Sequence, residues 1–143
     1  MRESLWLYPT VETAHIVGFV VLVGAAAMFD LRLLGLSRHL PVDGTARHLL
    51  PWSRASLLLV VPTGLLLFLT DATATWANPA FRLKMILLGC AGANALLFHR
   101  FTFQTVGAWN QDRPTPARAK GAAVTSLLLW TGVISCGRLI AYF

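Results

Sequence analysis

The stretch TVETAHIVGFVVLVGAAAMF, Thr10–Phe29, decides the fold. Between His15 and Asp30 every residue is apolar or glycine. About 20 such residues are what a helix needs to cross roughly 30 Å of hydrocarbon. Three further runs repeat the pattern, Trp52–Thr70, Phe81–Phe98 and Ala122–Phe143. None alternates with the period of two that a barrel strand requires. The reading is an all-α integral membrane four-helix bundle, one domain over 1–143, with both termini on the same side. The first run is read as an uncleaved span, because Glu3 and Glu12 oppose Arg2 where a signal peptide needs a positive leader.

Composition agrees. The chain of 143 residues is 56% hydrophobic and only 13% charged, with a mean hydropathy of +0.63. A soluble domain of this size cannot hide that much apolar surface, so the bilayer is the expected solvent and partner. The net charge of +6 lies between apolar runs, where lipid headgroups explain it and nucleic acid does not. Cys90 and Cys136 fall inside apolar runs, with no spacing that suggests a zinc site or a disulfide framework.

Punctuation marks the span ends. Pro51-Trp52 predicts the start of the second helix, and Asn78-Pro79 predicts an N-cap and first turn for the third. Trp6, Tyr8, Trp76, Trp109 and Tyr142 are expected at the headgroup level. Pro62-Thr63-Gly64 should loosen the second helix. Gly18, Gly24, Gly89 and Gly92 are expected at close helix contacts. Arg100–Lys120 reads as a flexible polar loop.

Bases set the orientation. The first and third connections carry Arg32, Arg38, Arg47, Arg54, Arg100, Arg113, Arg118 and Lys120, against Arg2, Arg82, Lys84 and Arg138 on the other side. The positive-inside rule then places those connections in the cytoplasm and both termini outside.

Ionisable groups in a span are costly and mark function by default. Glu12 and His15 share a helix face near the outer edge, with Lys84 at a similar height and Arg138 late in the fourth span. This cluster can hold a b-type haem, with His15 as iron ligand and Lys84 or Arg138 as ligand or propionate partner. The alternative is a Glu12–Lys84 or Glu12–Arg138 ion pair with His15 hydrogen-bonded in the core. His39, His48, His99, Asp30, Arg32, Arg54 and Asn94 gather at the cytoplasmic end. There Asp30 and Arg32 should seek Arg54, Asn94 or His99 on other spans. His15 lies 14 residues before Phe29, about 21 Å of helix, so it cannot share an iron with His99.

The motifs Glu12-Thr13-Ala14-His15-Ile16, Asp30-Leu31-Arg32-Leu33-Leu34-Gly35, Leu50-Pro51-Trp52, Asn78-Pro79-Ala80-Phe81, Lys84, Asn94-Ala95-Leu96-Leu97-Phe98-His99 and Gly137-Arg138-Leu139-Ile140-Ala141-Tyr142 resemble those of an uncharacterised family of small bacterial four-span proteins. The likeness covers nearly the whole chain. In layout the chain is also similar to HemJ-type protoporphyrinogen oxidases and copper-resistance D domains. In the HemJ type a first-span histidine and a lysine opening a later span are implicated in haem b binding, and His15-Ile16 and Arg82-Leu83-Lys84 match in type and place.

Three readings stand side by side. One is a b-type haem protein of the bacterial inner membrane handling electrons or a porphyrin, with His15, Lys84, Arg138, Glu12, His99 and Arg32 as candidate cofactor residues. A second is a non-catalytic accessory subunit, packed in a larger membrane complex or a homo-oligomer. The third is metal or proton passage through Glu12 and His15. No nucleophile elbow, paired carboxylates or glycine-rich phosphate loop supports hydrolytic or nucleotide chemistry.

Overall fold

A computed structural model describes residues 4–143, so Arg2 and Glu3 of the leader lie outside the described residues. The long apolar runs become helices α1 (Leu7–Leu33), α2 (Val42–Thr70), α4 (Pro79–Leu97) and α5 (Ala117–Leu139), with a short α3 (Ala72–Ala77) before α4. Four helical segments are long and apolar enough to cross a membrane, and no strand occurs among the described residues. The fold is a four-helix membrane bundle. The start of α4 lies beside the end of α5, where the Asn78 side-chain amide donates to the Ile140 carbonyl at 3.0 Å.

Local signals explain most boundaries. Asn78 caps α4 by accepting from the Ala80 and Phe81 amides at 3.0 and 3.4 Å, with Pro79 in the first turn. Asp71 caps α3 in the same manner. α2 starts ten residues before the expected Trp52, with Pro41 as its N-cap and Pro51 inside the helix. The reason is an apolar stripe of Val42, Ala46 and Leu49, spaced for one helix face and buried in the core.

That core sits where α1 joins α2 and α4 joins α5. It gathers Phe29, Leu33, Val42, Ala46, Leu49, Phe98, Trp109 and the alanines of α1 and α5. Of the segment expected to be a flexible loop, Arg100–Ala108 instead prolongs α4 through a π turn (Phe98–Thr102) and a 3-10 turn (Phe103–Ala108), 109–116 is irregular as expected, and Ala117–Lys120 opens α5. Trp109, expected at the headgroups, is 4% exposed. Its indole N–H donates to Thr105 Oγ1 at 3.0 Å while the ring fills the core. Trp6, Trp52, Trp76 and Tyr142 remain exposed, as an aromatic belt needs.

α1 packs along α2 and α5, and α4 packs along α5. α2 and α4 do not pack along each other; they meet through the stacked rings of Phe68 and Phe81, 5.5 Å apart. The bundle is therefore open on its α2–α4 side.

The glycines divide between these surfaces. A β-carbon at Gly18 would stand 2.9 Å from Val60 Cγ2, so α1 and α2 approach closely only because nothing is there. Gly24, Gly89 and Gly92, expected at contacts, face open space in the bundle. Gly18→Leu should destabilise the bundle by about 1–3 kcal/mol, the usual cost of overpacking, while Gly92→Leu should leave its melting in detergent unchanged. Equal melting of the two variants would contradict this assignment.

Candidate functional site

His15 faces α2 from the first half of α1. Its Nδ1 lies 3.1 Å from the Val60 carbonyl oxygen and 3.0 Å from Thr63 Oγ1. A carbonyl can only accept, so Nδ1 carries the hydrogen. The Thr63 hydroxyl donates to the Leu59 carbonyl at 2.6 Å, which leaves its oxygen free to accept as well. With Nδ1 protonated, neutral imidazole has its lone pair on Nε2. That atom makes no hydrogen bond among the described residues and is not sealed off by them. A ring held by Nδ1–H to a backbone carbonyl, with Nε2 free, is the arrangement found in metal-ligating histidines.

Gly64 completes the seat. A β-carbon there would stand 3.0 Å from His15 Cε1, a tight contact to which the ring would have to give by a few tenths of an ångström. Val60, Thr63 and Gly64 are the residues that sequence reasoning did not place in the site. Their one signal was Pro62-Thr63-Gly64 within an apolar run, which indicated an irregular helix but gave no partner for it.

Lys84 reaches the same end from α4. Its Nζ lies 5.8 Å from the centre of the Phe19 ring, which meets Trp130 edge-on at 6.1 Å. Lys84 is close enough to His15 to interact electrostatically, and a β-carbon on Gly137 would stand 3.8 Å from its Nζ. Glu12 and Arg138 are exposed. Among the described residues neither Glu12–Lys84 nor Glu12–Arg138 forms an ion pair; the pair formed is Arg47–Asp43, at 3.3 Å on the surface. His15 and Lys84 are the two half-buried ionisable residues at this end.

The other candidates lie at the opposite end. His99 sits in the π turn, stacked on Phe29 at 6.1 Å and flanked edge-on by Phe98 and Phe103. Arg32 is 3% exposed and does not turn to Arg54, Asn94 or His99 as expected. Its Nε donates to the Leu40 carbonyl at 2.7 Å, and Nη2 to the carbonyls of Arg38 and Asn110 at 3.3 and 3.1 Å. The loop that follows α1 supplies nearer acceptors than any other span. Asn94 donates to the Ala122 carbonyl of α5 at 3.0 Å.

The nitrogen donors at this end are the His15 ring and the Lys84 amine. Among the described residues no group of three His, Cys, Asp or Glu is placed to hold a metal.

A family model described as a family of unknown function, DUF6644, matches residues 6–143. No curated protein and no solved structure matches the chain.

Proposed function

The chain belongs to DUF6644, and we propose that this member is a b-type haem-binding membrane protein, in which His15 would hold the haem iron. The observation that carries the reading is the His15 ring, fixed through Nδ1 to α2 with Nε2 making no hydrogen bond among the described residues. Lys84 supplies positive charge for a propionate, or a second nitrogen for the iron. Phe19, Trp130 and the open α2–α4 side provide apolar surroundings for the macrocycle. The similarity of His15-Ile16 and Arg82-Leu83-Lys84 to HemJ-type oxidases, and the shared layout with copper-resistance D domains, supports the same assignment. Bound haem supplies one-electron chemistry; the protein's part is ligation, charge balance and exclusion of water.

The proposed setting is the bacterial inner membrane, with the His15 end and both termini in the periplasm. The basic first and third connections support that orientation. Cysteine labelling after Phe143 in intact cells should mark the outer face, and protection of that cysteine would invert the orientation.

The visible spectrum tests the function. Protein purified from cells supplied with haem should show a Soret band, with split α and β bands on reduction. A haem-free protein would favour the accessory-subunit reading, for which the exposed apolar faces of α2 and α4 supply ample surface.

A further inference from the structure

The chain has six acidic residues. Of those described, Glu12, Asp71 and Asp112 are exposed and Asp43 is paired with Arg47. Asp30 differs from all of them. It is 6% exposed, and its Oδ2 is shut off from solvent with no hydrogen-bond partner within the protein.

No cation answers it. α5 presents the neutral Ser126 to the carboxyl. On the preceding turn of α5, the Asn94 amide of α4 is held by the Ala122 carbonyl. Arg32, two residues along, turns its guanidinium to the loop carbonyls. His99 stacks on the neighbouring Phe29 and lies near Arg54. Among the described residues no Lys, Arg or His forms an ion pair with Asp30.

A bare carboxylate in such a place is costly, and something must neutralise it. A sodium ion would need several oxygen ligands gathered on the carboxylate. A proton needs no room. From this geometry we propose that Asp30 is a proton-binding site of the bundle. One carboxylate oxygen takes up a single proton, forming an O–H bond, with Ser126 Oγ as its hydrogen-bond partner. Ionisable groups so placed in membrane bundles serve proton pathways. The site stands 15 residues from His15, about 22 Å of helix, and does not rest on the haem reading.

Infrared spectra of the full chain in lipid nanodiscs test it. At neutral pH the wild-type protein should show the carbonyl stretch of a protonated carboxylic acid, shifted in heavy water and unchanged when sodium replaces potassium. Asp30→Asn should remove the band. Ser126→Ala keeps the acid and should move the band to higher frequency, which preserves the test if Asp30→Asn fails to fold. Absence of the band from the folded wild-type protein, its persistence in Asp30→Asn, or its loss in sodium would overturn the proposal.

Discussion

His15→Ala should abolish the Soret absorbance of protein purified from haem-supplied cells, whereas His99→Ala should leave it intact. The contrast comes from depth, since His15 and the π turn holding His99 lie at opposite ends of the bundle, about 20 Å apart along the helices. Supporting groups should act by smaller factors. Thr63→Val leaves the Val60 carbonyl in place for Nδ1 but removes the second acceptor, and should weaken haem retention by about 10-fold. Lys84→Gln separates two roles: total loss of haem marks the amine as an iron ligand, and weaker retention marks it as a propionate partner. A His15→Ala protein with full haem occupancy would end the assignment, and loss of haem on changing His99 would move the site to the other end.

Apolar run length made the four long helices legible, because the requirement to span hydrocarbon overrides finer signals. The missed features share a physical cause. α2 begins early because Val42, Ala46 and Leu49 form a short stripe among Asp43, Arg47 and His48, a pattern that reads as loop when hydropathy is averaged. Trp109 enters the core because the π and 3-10 turns carry α4 onward and bring its ring under α1 and α5. His15 and Lys84 stood out as ionisable residues in apolar runs. What holds His15, a backbone carbonyl at Val60, has no sequence signature, since every residue has one. The same holds for Arg32: charge suggested a side-chain partner on another span, and the actual partners are three main-chain oxygens.

Those three oxygens make Arg32 the residue whose removal should cost the most stability. Its guanidinium joins the Leu40 and Arg38 carbonyls, just after α1, to Asn110, which follows the extension of α4. Asn110 in turn caps α2: its carbonyl accepts the Val42 amide and its Oδ1 the Asp43 amide, both at 2.9 Å. Gln111 Nε2 to the His39 carbonyl and the Asp112 amide to the Arg38 carbonyl tie the same two connections together. Arg32→Ala removes three charge-assisted bonds at a site only 3% exposed and takes from the Leu40 carbonyl its side-chain donor, while the Arg38 and Asn110 carbonyls keep the Asp112 and Val42 amides. The expected loss is about 3–5 kcal/mol, the range of a broken buried polar network. Arg32→Lys keeps the charge but cannot fork between two directions, so about 1–3 kcal/mol should still be lost. Unfolding of the detergent-solubilised variants in denaturant measures both. An Arg32→Ala protein as stable as wild type would show that the two connections hold together without the guanidinium, through Asn110, Gln111 and Asp112.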